Sequence, residues 1–343
     1  MDINKYQYLK TKYPKIHDDI YNKPKDIVNF INKSSDINIK VFPSTKLLTL
    51  EEYNDKYKDR HLKISEFYGN IDINTYEKYY KKILNLIIFD EGNKTLKKNK
   101  KILNESFKTF KIKNSNESKI NDEYLEYLDK LIIKEYTKNT LYGDLNRWLM
   151  NYGMNYDYYE SVAYFTGRLM FSLNSYAQKN KKFFTDNKKI VYRGIKIPYS
   201  SLLSYERAKG KIILLSSFTS TSESKEASLI FSGRKNSQEL FKTNLLFSVL
   251  FIITNLWEKD WISNGINIQE ESEYKKEKEI LFQPFSFYYV SDVKINLKDY
   301  TADIYLETIG KTDILEEKII NEKEKEIIYN KSKNIVELKS IKK

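Results

Sequence analysis

The 343-residue chain contains no cysteine and only two histidines, His17 and His61. Disulfide frameworks, thiolate metal sites and cysteine nucleophiles are excluded together. A histidine metal cage or a Ser-His-Asp triad would have almost nothing to be built from, and no metal is expected. Glycine is scarce as well: there are 10, and the nearest pair, Gly143 and Gly153, stands ten residues apart. The phosphate-cradling fingerprints G-x-G-x-x-G and G-x-x-x-x-G-K need spacings of roughly two to five. A Rossmann site and a P-loop are therefore excluded, and any nucleotide must be held by another device. The longest apolar run, residues 245–253, is broken by Ser248 and falls far short of the roughly 20 residues that cross a bilayer. It reads as a buried strand, and no membrane span is expected. Residues 1–15 carry no apolar stretch of the signal-peptide kind, so the expected location is cytoplasmic, or outside the cell by a route without a cleaved N-terminal signal.

What remains is the composition of a folded protein, 41% hydrophobic and 31% charged. At about 150 residues per domain the length suggests roughly two domains. Lys and Arg number 59 against 47 Asp and Glu, a net charge of +12, which favours an anionic partner somewhere on the surface. Residues 1–115 read as an irregular helical region of unknown role, with a Lys/Asn/Ser-rich linker over 92–121. Residues 116–310 read as one domain, and 311–343 as a charged tail. Within 124–150, Leu125, Leu128, Leu131, Ile132, Leu141, Leu145, Trp148 and Leu149 fall on one helical stripe, and a second helix is predicted over 158–178. The pattern then changes to short β-rich runs at 190–197, 212–218, 245–254, 279–290 and 302–308. Helices first and strands afterwards predict an α+β fold with a mixed or mostly antiparallel sheet.

Three segments of the β-rich half could carry chemistry. In Tyr192-Arg193-Gly194 the arginine is notable because only six of the 59 basic residues are arginine. Its planar fork grips phosphate or a carboxamide as lysine cannot, although an ordinary surface ion pair is the plain alternative. In Ser220-Thr221-Ser222, period-two alternation puts the two serines on one face, where their hydroxyls can orient a carboxylate or a sugar. A Ser/Thr turn cluster would look the same. In Glu277-Lys278-Glu279 the alternation puts both carboxylates on one face at the start of a strand, about 7 Å apart, where each raises the other's pKa. The pattern E-x-E also occurs at Glu271-Ser272-Glu273 and within 322–326, in a polar loop and the charged tail. Only the middle pair runs into an apolar strand, Ile280-Leu281-Phe282.

The order Arg, then Ser-Thr-Ser, then Glu-x-Glu on successive strands resembles the R-S-E class of mono-ADP-ribosyltransferases, the arginine-specific ecto-enzymes and related bacterial toxins. Tyr136-Thr137 with Leu145-Asn146, Tyr192-Arg193-Gly194, Phe218-x-Ser220-Thr221-Ser222 and the block from Ile268 through Ser272, Tyr274, Glu277 and Glu279 to Pro284 carry the likeness, over about residues 125–310. Ser217 stands where ecto-enzymes often carry Gln. The resemblance implies a split two-sheet α+β core preceded by a helical region. It implies NAD, or NADP, as co-substrate without a metal, and transfer of ADP-ribose to a target protein arginine with release of nicotinamide. In that scheme Arg193, Ser220, Glu277 and Glu279 are catalytic. Tyr136, Arg193, Gly194, Ser217, Ser222 and Ser272 line the NAD site, and Tyr274 faces the protein substrate. Glu279 would stabilise the oxocarbenium-like state formed as the nicotinamide bond breaks. Glu277 would help deprotonate the incoming guanidinium, whose free pKa is above 12. NAD hydrolysis without an acceptor remains the nearer alternative. A basic, non-enzymatic nucleic-acid binder is the more distant one, for which no RNP-like or helix-turn-helix pattern is found.

Overall fold

The structure, a computed structural model, describes residues 40–42, 48–49, 63–64, 66–67, 75, 78–79, 122–138, 142–150, 156–184, 188–255 and 265–309. The charged tail, the linker, both histidines and most of 1–115 lie outside the described residues. Two compact units are present, one of residues 1–25, 59–148 and 152–180, the other of residues 26–58, 149–151 and 181–343. The division at residue 180 falls inside the span 116–310.

The helical unit is built on α1 (Asp122–Thr137), α2 (Tyr142–Leu149) and α3 (Tyr156–Asn180). On α1, Leu128, Ile132, Ile133 and Tyr136 are buried while Lys134 is exposed, the one-sided burial that helical spacing dictates. The continuous helix predicted over 124–150 is instead interrupted after Thr137, where the Thr137 hydroxyl donates to the carbonyl of Lys134. A side chain that bonds its own helix backbone competes with the ladder. Helix α3 is different, since every residue from 161 to 177 is buried. A helix apolar enough to be covered all round still has to place Ser161, Thr166, Arg168, Ser172, Asn174 and Ser175, and it pairs the Arg168 guanidinium with Asp129 of α1 at 2.9 Å.

The second unit is a sheet with short helices on it. Its strands are β1 (Lys40–Phe42), β2 (Leu48–Thr49), β3 (Ile190–Pro198), β4 (Ile212–Leu215), β5 (Thr219–Ser222), β6 (Leu246–Thr254), β7 (Gly265–Asn267), β8 (Glu279–Phe282), β9 (Ser286–Asn296) and β10 (Thr301–Ile309). They run in the order β2-β1-β4-β9-β10-β6-β3-β5-β8-β7. The sheet is mixed: β10 pairs with β6 and β1 with β4 in parallel, and the other pairs are antiparallel. The apolar β6 sits between β3 and β10, where both faces are covered, as continuous Val/Ile/Leu/Phe runs require. Its Phe247, Val249, Phe251 and Ile253 pack with Val191, Ile304, Leu306, Tyr288 and Val290 into the core.

One joint in this ladder is weak. β3 pairs with β6 over nine positions but with β5 at a single one, Tyr192 with Ser222. The strands β5-β8-β7 therefore form a small sheet hinged on the large one, the split arrangement that the resemblance implies.

Between the strands lie α4 (Tyr199–Arg207), α5 (Lys225–Ser232) and α6 (Ser237–Asn244), which the sequence reading passed over as polar connections. Ser224 caps α5 by accepting from the Ala227 amide, and Gly233 closes it with φ +69°, the usual device for a left-handed stop. The predicted run 279–290 is broken into β8 and β9 at Pro284-Phe285, where Phe285 has φ +65° and donates its amide to the carbonyl of Leu215. The small strand β7 was not predicted.

Candidate active site

The single β3–β5 contact brings the chemistry together. Arg193 follows Tyr192, the residue paired to Ser222, and its Nη1 donates to the carbonyl of Ser220 at 3.2 Å. Next to it, Gly194 answers a packing need: a Cβ there would lie 1.7 Å from the carbonyl oxygen of Ser228 and 2.7 Å from the amide of Ser232. Only glycine lets α5 lie this close to β3. Burial pushes the phenols of Tyr205 and Tyr288 up, and the positive charge of Arg193 opposes that in both. Neither tyrosine had been singled out in the sequence, where they look like two of 29.

On the small sheet, β5 and β8 pair with Ser222 opposite Glu279 and Ser220 opposite Leu281. The Thr221 hydroxyl donates to the carbonyl of Ile280 at 2.6 Å and ties the two strands. The Ser220 hydroxyl, on the other face, donates to Oε1 of Glu279 at 2.6 Å. The second carboxylate oxygen accepts from the Ser272 hydroxyl at 3.3 Å. Glu279 is buried, and burial raises its pKa above the ordinary carboxylate value. The Ser220 hydrogen bond works against that rise, Glu277 adds to it, and Ser272 and Arg193 oppose it.

Glu277 does not share a strand with Glu279. It closes a short 3-10 turn, Lys275–Glu277, and the following Lys278 has φ +50°. That left-handed residue resets the alternation, so the side-by-side placement expected from a straight strand does not hold. The turn is fastened from behind: the Ser222 hydroxyl donates to the carbonyl of Glu277 and accepts from the amide of Ser224. Glu277 is half-buried, and burial raises its pKa. Tyr274, three residues earlier, is 44% exposed.

Six of the sequence-predicted residues thus form one group: Arg193, Ser220, Ser222, Ser272, Glu277 and Glu279. Ser217 is half-buried on the link from β4 to β5. Tyr136 belongs to the helical unit, buried on α1, where its hydroxyl accepts from Nδ2 of Asn146 at 3.2 Å. Chemically, the group offers a buried carboxylate held by neutral donors, a second carboxylate on an exposed turn, and a guanidinium beside them. A site so arranged can stabilise developing positive charge and take up a proton.

A sequence model of the family NAD:arginine ADP-ribosyltransferase matches residues 74–313. No curated protein matches the chain. Among solved structures, the Vis toxin from Vibrio splendidus aligns at 20% identity over 62% of this chain and 85% of its own, with a TM-score of 0.40. The type III effector XopAI from Xanthomonas axonopodis pv. citri aligns at 15% identity over 76% and 92%, with a TM-score of 0.47. The Clostridium limosum C3 exoenzyme aligns at 18% identity over 59% and 93%, with a TM-score of 0.37.

Proposed function

The chain belongs to the NAD:arginine ADP-ribosyltransferase family, and we propose that it transfers a single ADP-ribose from NAD to a protein arginine. The observation that carries this reading is the grip on Glu279: two hydroxyls, from Ser220 and Ser272, hold a buried carboxylate beside Arg193. The bond from the ribose anomeric carbon to the nicotinamide nitrogen breaks, and nicotinamide leaves with the electron pair. The ribosyl carbon becomes oxocarbenium-like, and Glu279, hydrogen-bonded to a ribose hydroxyl, stabilises that charge in a site where water cannot screen it. Arg193 takes the anionic part of NAD or braces the nicotinamide pocket, which is how a dinucleotide is held without a glycine-rich loop. A guanidinium nitrogen of the acceptor forms the new bond to the ribosyl carbon and gives its proton to Glu277.

Supporting roles follow the hydrogen bonds. Ser222 has its hydroxyl engaged by Glu277 and Ser224, and so holds the acceptor glutamate's turn. Gly194 serves by admitting α5. Ser217 is assigned to the NAD pocket, and Tyr274, exposed on the turn, to the acceptor protein. Burial raises the Glu277 pKa, which makes its carboxylate a stronger proton acceptor for the incoming guanidinium.

The test is to incubate purified protein with labelled NAD and a cell lysate, and to compare label on protein with free ADP-ribose. Label on arginine is expected. Glu277→Gln should abolish that transfer while leaving slow NAD hydrolysis, because Glu279 and Arg193 are untouched. Label that appears only as free ADP-ribose in the unmutated protein would make it an NAD glycohydrolase instead.

A further inference from the structure

Residues 268–279 are closed on themselves. The amide of Ile268 donates to the carbonyl of Glu279 at 3.1 Å, and the amides of Glu271 and Ser272 both return to the carbonyl of Ile268. At the centre lies Ser272, 2% exposed. Its hydroxyl accepts from the amide of Tyr274 at 3.1 Å and donates to Oε2 of Glu279. One hydroxyl therefore touches both the backbone of the turn that presents Tyr274 and Glu277 and the carboxylate of Glu279.

The two hydroxyls on that carboxylate are not equivalent. Ser220 is carried by a strand paired directly to β8, and its bond is 2.6 Å long. Ser272 is carried by the turn, and its bond, at 3.3 Å, is longer than the usual O–H···O range of about 2.5–3.0 Å and correspondingly weak. A strand-borne donor is fixed whatever the turn does. A turn-borne donor moves with the turn, and its bond has room to tighten.

We propose that Ser272 is a positioning residue that links the acceptor-side turn to Glu279, so that occupation of the turn by the acceptor is felt at the carboxylate facing the ribose. This rests on the ADP-ribosyl transfer reading above and replaces the direct contact with NAD that the resemblance implies for Ser272. The groups that face Glu279 are Ser220 from β5, Arg193 from β3, and Glu277 and Ser272 from the turn. Removing the Ser272 donor removes one of the influences that hold the carboxylate charged. The acid limb of the rate profile must then move to higher pH.

The experiment compares Ser272→Ala, Ser272→Thr and the unmutated enzyme by nicotinamide release, with and without an arginine acceptor, across pH. Alanine is expected to lower kcat of the acceptor-dependent reaction about tenfold, the scale of one hydrogen bond to a charged group, with KM for NAD unchanged and the acid limb displaced upward. Threonine, which keeps the hydroxyl, should recover the rate to within about threefold. Ser272→Cys, near serine in size but a weaker donor, gives the same comparison should the alanine variant fail to fold. The proposal is overturned by a variant without the donor that keeps both rate and profile, by a rise in KM for NAD at constant kcat, or by a folded threonine variant as slow as alanine. Failure of the underlying reading looks different: the unmutated protein would release no nicotinamide, or Glu279→Gln would release as much as it does, and the proposal would fall with it.

Discussion

Asp129 in the helical unit and Glu279 in the sheet unit are both buried carboxylates, and burial raises the pKa of each. Their partners differ. Asp129 meets the guanidinium of Arg168 at 2.9 Å, and that cation stacks over the ring of Phe171. Among the described residues the Glu279 carboxylate bonds hydroxyls alone, with Arg193 bonded to the neighbouring backbone and acting on it from farther away. A contact ion pair satisfies a buried charge and leaves little for a ligand to gain. A carboxylate held by neutral donors keeps its negative charge uncompensated until a positive charge arrives, which is the condition for stabilising a transition state more than a ground state. The first arrangement suits structure and the second the chemistry proposed for Glu279, although burial raises the pKa of both.

The sharpest way to break this contrast is Glu279→Gln. NAD cleavage should fall by about two to four orders of magnitude, the scale of losing a preorganised charge, and stability should rise. The sign follows from the raised pKa: the folded state favours the protonated acid, so the carboxylate's contribution to stability is present below its ordinary value and lost as pH rises through the folded one. Above that pH the wild type carries a buried charge that glutamine does not. Thermal melting should therefore show the variant more stable at neutral pH, with the gap closing in acid. A variant that cleaves NAD normally would return Glu279 to the structural class.

The matching change in the helical unit is Arg168→Met. It strands Asp129 without its cation, and loss of one partner of a buried pair costs about 3–5 kcal/mol. Amide exchange along α1 should accelerate accordingly. The loss should shrink in acid, where Asp129 takes a proton and no longer needs a partner. If α1 exchanges as slowly in the variant as in the wild type, the pair is not what holds the two helices.

Which of these features a sequence can show depends on how local the signal is. Arg193, Ser220 and Glu279 were legible because each belongs to a short strand with a definite period, and an arginine in a lysine-rich chain draws notice. The 161–177 stretch was legible as helix for the same reason. The short helices α4, α5 and α6 were not, since eight or nine residues give too few turns for a periodic stripe. Their signals were the caps, Pro198 before α4, and Ser224 and Gly233 around α5. Alternation failed between Glu277 and Glu279 because Lys278 is left-handed, a conformation that lysine does not advertise. The role of Ser272 depends on the closure of residues 268–279 on Glu279, and the site itself on one strand pair, Tyr192 with Ser222. Neither a loop closure nor a pairing between residues thirty apart has a local signature.

The smallest expected effect is that of salt, and it sharpens the contrast by showing what the two carboxylates share. The Debye length shortens from about 30 Å at 0.01 M to about 8 Å at physiological ionic strength, but buried pairs are screened much less than exposed ones. Pairs such as Lys182 with Glu270 and Lys209 with Asp292 are partly or largely exposed and contribute little that salt could remove. Glu279 and the Asp129–Arg168 pair are buried and are screened much less. The net charge of +12 is expected to serve solubility or docking, and in the proposed function NAD is held by a few specific groups. KM for NAD and the amide exchange of α1 should both change by less than about twofold between low and moderate salt. Transfer to an acidic target protein should weaken over the same range, because that encounter is steered by the exposed lysines. A KM for NAD that climbs steeply on a log-log salt plot would show that a broad basic field holds the ligand. The distinction between a charge kept for chemistry and a charge spread over the surface would then have to be redrawn, with nucleic acid as the ligand such a slope implies.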